Sequence, residues 1–373
     1  MFPNLPDRKP TYSYKWEKYK GQDILPLWVA DTEFGCAQPI LDGLKSRVDH
    51  GILGYTLPSQ YTPANEAIVS WCERQYGWSI DADWIVWTPG VVPAFNVASK
   101  AFGAGRILVQ EPNYPPLRAA PGINDSQRIA IQTVIENGRW TLDFEQLEKE
   151  ASHPDCHLMI LCNPMNPVGS VMTQGELDKI AQICNQNGVL LCSDEIHCDL
   201  ILEEGVSHIP ASSHRELKDN SITLMAASKT FNVAGLGASF AIIPNEEIRR
   251  KFNKAAMGIV PWVNILGLVA TEIAFTQCDE WREQQLNYLR SNRKFIVDGI
   301  NDIPGLSVLS PEATFLAWVD ASKLDAPSPQ AWCEQRGVGP SPGSDFGSKD
   351  FFRINFGCSQ DMLKEALYRL QKK

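Results

Sequence analysis

The chain has 373 residues, 44% hydrophobic and 21% charged, the balance of a globular protein too long for one ordinary core, so two domains are expected. A formal net charge of −10 at pH 7 argues against nucleic acid as a partner, because phosphate backbones need a basic face. No apolar run reaches the length of a membrane span, and the start Met1-Phe2-Pro3-Asn4-Leu5 lacks a signal-peptide pattern, which points to the cytoplasm.

The first forty residues are rich in Pro and Trp with little periodicity, which predicts an arm wrapped over another surface. Within it, Leu27-Trp28-Val29-Ala30-Asp31-Thr32-Glu33-Phe34 runs from apolar to acidic. A helix is expected over 39–50, stopped by Gly51, and Gly54-Tyr55-Thr56 then makes a loop. A second helix is expected over 65–76, with Ala67, Ile68, Trp71 and Cys72 on one face and Gly77 just past its end. From Trp84 short apolar strands alternate with helices. Ile85-Val86-Trp87 leads through Thr88-Pro89-Gly90-Val91-Val92-Pro93 into a helix ending at Phe102. Further strands are expected at 106–110, 158–161, 189–192, 221–224 and 239–243. Thr173 and Glu176 are spaced as a capping box, opening a helix that Gly188 closes. Strands separated by helices predict an α/β fold, a largely parallel sheet covered on both faces.

After Pro244 the pattern turns helical, over 246–257, 263–275 and 280–300. Strands at 306–309, 315–319 and 352–355 follow, with helices near 330–336 and 362–370. That predicts a smaller α+β domain packing with the arm. The expected division is an arm over 1–44, a large domain over 45–265 and a small domain over 266–373. Ten cysteines form no Cys-x-x-Cys pair and read as reduced thiols packed in the core.

In parallel α/β sheets, ligands bind beyond the carboxyl ends of the strands. Asn166, Asp194 and Lys229 fall at such ends, in that order. The turn at Gly90, Val91 and Val92 opens a helix whose free N–H groups suit a phosphate. Lys229 follows a strand among small residues, in Ala226-Ala227-Ser228-Lys229-Thr230. Desolvation there would lower its pKa and sharpen the amine as a nucleophile toward carbonyls. A lone lysine after a strand is ordinarily a surface residue, but here polar groups end two more strands upstream. A Schiff-base lysine, an acid for a pyridinium nitrogen and an amide for a phenolic oxygen are what pyridoxal 5′-phosphate requires.

His197 could orient Asp194 or bond the cofactor, or be an ordinary polar core histidine. Tyr114 sits in a loop after a strand, where an aromatic could stack on the cofactor ring. Arg353 is a charge inside the apolar strand Phe352-Arg353-Ile354-Asn355-Phe356. A buried guanidinium needs a partner, either an internal acid or, as favoured here, a substrate α-carboxylate held by two hydrogen bonds. His153-Pro154-Asp155-Cys156-His157 has no second ligand pair, so no metal site is expected. Gly235-Leu236-Gly237 lacks the third glycine of a dinucleotide loop.

Taken together, these segments resemble the class I/II aminotransferase superfamily of pyridoxal-phosphate enzymes, fold type I, and within it the MalY/PatB branch of cystathionine β-lyases, or C–S lyases. The resemblance spans nearly the whole chain. It is carried by Trp28-Val29-Ala30-Asp31, Gly51-Ile52-Leu53-Gly54-Tyr55-Thr56, Thr88-Pro89-Gly90-Val91-Val92-Pro93 and Asn163-Pro164-Met165-Asn166-Pro167-Val168-Gly169. Ser193-Asp194-Glu195-Ile196-His197, Ser228-Lys229-Thr230-Phe231-Asn232, Glu312-Ala313-Thr314-Phe315-Leu316-Ala317-Trp318 and Arg353-Ile354-Asn355-Phe356-Gly357 carry the rest.

The resemblance implies that Lys229 holds the cofactor, Asp194 pairs with the pyridine nitrogen, Asn166 bonds the ring hydroxyl and Tyr114 stacks on the ring. Arg353 and Asp31 are placed on the substrate side. Tyr55 would reach the phosphate of a neighbouring subunit, which implies a homodimer with shared active sites. Many superfamily members carry Ser or Gly three residues before the lysine and Arg eight after, where Ala226 and Gly237 stand. Phosphate binding would then lean on Gly90, Val91, Val92, Ser228 and Tyr55. The branch commonly has His at the Met165 position, and Met-Asp at Thr32-Glu33, near the expected substrate entrance. The implied reaction is α,β-elimination of a sulfur amino acid to pyruvate, ammonia and a thiol, with transamination to a 2-oxo acid as the alternative. The rival from another class is a regulatory module fused to a DNA-binding domain, but no basic helix-turn-helix segment precedes the fold.

Overall fold

Central strands of this chain are unbroken apolar runs, and the fold follows from where both of their faces can be buried. The computed structural model describes residues 2–372. The arm contributes a one-turn helix α1 (Tyr14–Glu17) and a short strand β1 (Leu25–Pro26). Strands β2 (Ile85–Thr88), β3 (Arg106–Glu111), β4 (Gln127–Glu136), β5 (Arg139–Leu142), β6 (Cys156–Cys162), β7 (Leu190–Asp194), β8 (Ser221–Met225) and β9 (Ser239–Ile242) form one sheet, in the order β2-β9-β8-β7-β6-β3-β4-β5. Neighbours from β8 to β4 are parallel, whereas β8–β9, β2–β9 and β4–β5 are antiparallel.

Alternation along β6 explains the layering. Leu158 and Ile160 face a core shared with Phe95 and Phe252, which belong to α4 (Val91–Phe102) and α8 (Glu246–Ala256). Met159 and Leu161 face the opposite core with Leu147 and Leu177, from α6 (Phe144–Ala151) and α7 (Gln174–Asn187). The capping box at Thr173 and Glu176 forms, and Gly188 closes α7 in the left-handed region. A third cluster packs Ile40, Ile68 and Trp71 against Leu268 and Ala274, joining α2 (Gln38–Asp49), α3 (Thr62–Tyr76) and α9 (Ile265–Gln277). Between β3 and β4 lies α5 (Pro115–Ile123).

The long helix α10 (Asp279–Asn301) leads to the second sheet. There β10 (Ser307–Val308), β11 (Leu316–Asp320), β13 (Ser341–Pro342) and β14 (Phe351–Asn355) pair in the order β10-β11-β14-β13. Helices α11 (Pro329–Gln335), α12 (Gly343–Phe346) and α13 (Gln360–Gln371) flank it. The arm wraps this second sheet: β1 pairs in parallel with β12 (Val338–Gly339), and Leu27 and Phe34 join its core. Among the described residues no helix is long and apolar enough to cross a membrane. The ten cysteines are free thiols, and all but Cys36 are buried.

Candidate active site

Parallel pairing brings the carboxyl ends of β3, β6, β7 and β8 to one edge of the large sheet. Two antiparallel steps separate β2 from β8, so β2 ends at that edge too and delivers Gly90. A cavity of about 320 Å³ opens there. Gly90, Val91, Val92, Tyr114, Asn166, Asp194, His197, Ser228 and Lys229 all line it. Gly90 caps the twelve-residue helix α4 at φ 145°, a conformation that side chains disfavour, so the backbone turns the helix N-terminus into the cavity.

Lys229 is half-buried, and its amine donates a hydrogen bond to the Ala30 carbonyl at 2.7 Å. Burial pulls its pKa from 10.5 down to about 8; Asp31 pulls the other way, Arg353 adds to the fall, and Asp194 opposes it. The loop behind it is pinned by Asn232, at φ 57°. Its amide donates to the Thr32 and Phe34 carbonyls at 3.1 and 2.8 Å, and its carbonyl accepts from the Thr32 N–H at 3.2 Å. The arm is thereby fastened to the lysine loop.

Asp194 is 3% exposed and, among the described residues, has no salt bridge. One carboxylate oxygen accepts the Ile196 N–H at 3.2 Å, so the residue caps its own turn as well as lining the cavity. Burial pushes its pKa up to about 7, against the Ile196 hydrogen bond and the Lys229 charge, with Glu195 adding to the rise. A cation against it would bring that value back down. Glu195 faces away, accepting from His208 Nε2 at 2.7 Å and the Ala211 N–H at 2.8 Å. His197 is held well below its ordinary pKa by burial, with Lys229 and Arg353 adding to the fall. Its Nδ1 has no hydrogen-bond partner among the described residues.

Arg353 on β14 reaches the same place from the second sheet. Its guanidinium donates to Asn166 Oδ1 at 2.9 Å, the Trp28 carbonyl at 2.7 Å and Ser341 Oγ at 3.2 Å. It also lies 4.6 Å over the Phe346 ring. Among the described residues no acid forms an ion pair with it, and its Nε has no partner. The internal-acid alternative is therefore not met. Burial lowers its pKa to about 10, opposed by Tyr114 and Asp345. A second cavity of about 510 Å³ carries Arg353, Trp28, Ser341 and Phe346 and shares Ala30, Tyr114 and Lys229 with the first.

Tyr55 is 99% exposed, with its ring 6.4 Å from that of Trp262, and lines neither cavity. Asp31 is bound by Arg8 at 2.6 Å, with Lys15 at 3.6 Å, and lines neither cavity. Thr32 and Glu33 do not stand at an entrance: both are buried, and Glu33 pairs with the buried Lys15 at 2.7 Å. Two cations and two acids share one clasp, which an apolar-to-acidic run does not reveal. Met165 packs in the core beside α7. Ala30 and Asn232, whose roles sequence reading missed, act through a backbone carbonyl and a left-handed turn; only an Asn after the lysine hinted at the second.

Among the described residues Lys229 is the single cation lining the first cavity, and Gly237 lines it too. A nucleophilic buried amine, an unpaired buried acid and a helix N-terminus fit pyridoxal 5′-phosphate. Residues 34–370 match the family Aminotransferase class I and II. The chain belongs to that family. Cystathionine β-lyase PatB of Bacillus subtilis is 35% identical over 99% of this chain and 98% of its own. Among solved structures, OvoB superposes with a TM-score of 0.95 at 42% identity, covering 99% of this chain and 97% of its own. The pyridoxal-phosphate-bound C–S lyase of Staphylococcus hominis gives 0.90 at 31% identity, over 100% and 97%.

Proposed function

We propose that this family member is a pyridoxal-phosphate-dependent carbon–sulfur β-lyase, releasing pyruvate, ammonia and a thiol from a sulfur amino acid. The observation that carries an amino-acid substrate is Arg353: a buried guanidinium without an ion-paired acid among the described residues, opening onto the cavity that also holds the Lys229 amine. That spacing suits an amino acid whose carboxylate binds Arg353 while its Cα faces Lys229. The names of PatB and of the C–S lyase support elimination.

When bound, the cofactor would supply an electron sink for the bond broken at Cα. Lys229 would hold it, and the same amine, with a pKa near 8, is poised to take the Cα proton. Asp194 would keep the ring nitrogen protonated, and His197, its pKa held low by burial, lines the same cavity. Asn166 would bond the ring hydroxyl, and its Oδ1 braces Arg353, so cofactor and substrate orientation would be coupled. Tyr114 would cover a ring face. The N–H groups after Gly90 and the Ser228 hydroxyl would receive the phosphate.

Tyr55 sits in a patch with Ile52, Leu53, Met257, Ile259 and Trp262, each more than half exposed. Leu53, Tyr55 and Trp262 line one shallow cavity there, and exposed apolar side chains grouped in this way are the mark of an interface. A second copy covers it in this reading and receives Tyr55 at its phosphate. Residues 45–265 hold the cofactor, and the 1–44 arm with 266–373 brings Arg353. Free buried thiols support a cytoplasmic setting.

Transamination uses the same residues. The deciding assay gives cofactor-loaded protein cystathionine or cystine, with and without 2-oxoglutarate. Pyruvate and thiol without the keto acid are expected; glutamate formed only in its presence would overturn the proposal.

A further inference from the structure

The second cavity is lined by Lys229 and Arg353 and also carries charge that the reaction does not use. Four charged side chains line it: Lys229, Arg353, Lys18 and Asp345. The first two serve the cofactor and the α-carboxylate. Lys18, just after α1, makes no hydrogen bond through its ammonium among the described residues. Its ammonium lies 4.7 Å over both the Tyr19 and the Trp28 rings. The nearest acid, Glu334, stands 3.8 Å away and already accepts from the Tyr19 hydroxyl at 2.7 Å and the Gln330 amide at 2.9 Å. The two rings hold the ammonium in place, which reduces the freedom it would lose on binding an anion.

Asp345 on α12 makes no ion pair and no side-chain hydrogen bond among the described residues. Only its backbone carbonyl is engaged, by Arg118 at 2.6 Å. Aromatic rings form much of the remaining wall, with Tyr14 and Trp28 packed edge to face at 4.8 Å. A cation paired only loosely, 3.8 Å from Glu334, and an anion without an ion pair or side-chain hydrogen bond among the described residues thus share one cavity with Arg353 and an aromatic wall.

We propose that Lys18 and Asp345 form a distal subsite for the leaving thiol's own charged head, Lys18 taking a carboxylate and Asp345 an ammonium. The proposal rests on the lyase reading of the same site. It makes both specificity-determining residues, selecting β-substituents that end in a charged group over plain alkyl chains. Lys18 is 32% exposed, so added salt weakens the preference.

The test uses cofactor-loaded wild type, Lys18→Met and Asp345→Asn, each given cystathionine and S-butyl-cysteine, which differ mainly in the distal head. The wild type is expected to favour cystathionine, and Lys18→Met to cut the ratio of the two kcat/KM values about tenfold, through KM. Asp345→Asn should cut it less. A ratio unchanged in both variants overturns the subsite. If wild type releases no pyruvate from either compound, the lyase reading fails on its own, and calorimetric binding of the same two compounds decides the subsite. Loss confined to cystathionine in Lys18→Met then supports it, and equal loss for both compounds or none overturns it.

Discussion

Replacing Lys229 with methionine should abolish turnover yet stabilise the cofactor-free protein at neutral pH. Burial has pulled the amine from 10.5 to about 8, while in the unfolded chain it keeps its ordinary proton affinity. Between those two values the unfolded state binds more protons, so stability rises as pH rises through the window. Below pH 8 the full penalty is present. At roughly 1.4 kcal/mol per tenfold change in proton affinity, it amounts to about 3 kcal/mol. Methionine fills a similar volume without charge. The lost hydrogen bond to the Ala30 carbonyl costs about 1–2 kcal/mol, leaving a net gain of about 1–2 kcal/mol at pH 7. Urea unfolding of both cofactor-free proteins at pH 7 and pH 10 measures it. The variant should have the higher midpoint at pH 7, and the advantage should vanish or reverse at pH 10. A variant less stable at pH 7, or a difference independent of pH, refutes desolvation as the cause of the lowered pKa.

Arg353→Met should lower kcat/KM by about a hundredfold, because the substrate carboxylate loses a charged partner inside a buried site; steady-state kinetics on pyruvate release reads this, and a change under threefold would separate Arg353 from substrate. Two individually inactive variants, Tyr55→Ala and Lys229→Ala, should regain about a quarter of wild-type activity when mixed and allowed to exchange, since half the dimers are hybrids with one intact site each. No recovery despite demonstrated exchange would show that sites are not shared. Thr173→Ala removes the hydroxyl that accepts the Glu176 N–H at 3.2 Å and should cost about 1 kcal/mol, visible as a lower urea midpoint with kcat intact.

Much of the site was legible because its residues fall at the ends of strongly apolar strands. Asn166, Asp194 and Lys229 converge because the strands before them are parallel neighbours, and apolar runs announced those strands. The hairpin of β4 and β5 escaped notice although Asn137-Gly138, at φ 51° and 79°, is a strong two-residue turn signal. Helix α5 was hidden by its prolines at 115, 116 and 121, which read as loop. The start of α3 lay three residues upstream, at Thr62, where Pro63 suits a first helical turn. What no local pattern could show is pairing across the chain: the Arg8–Asp31 and Lys15–Glu33 clasp, the Trp28 carbonyl on Arg353, and the Ala30 carbonyl on Lys229. Those contacts depend on which surfaces meet after folding.

The arm's carbonyls have a consequence for how the enzyme is made. Arg353 bonds the Trp28 carbonyl across a separation of 325 residues, and the Asn355 amide holds the Val29 and Asp31 carbonyls. A ribosome produces one side of this junction almost at the start and the other almost at the end. A nascent chain can close the large sheet and possess Lys229 long before it owns Arg353, the group proposed to hold a substrate. On the proposed role of Arg353, amino-acid binding is reserved for finished chains, and a truncated product lacking its last two dozen residues would keep the lysine but not the guanidinium.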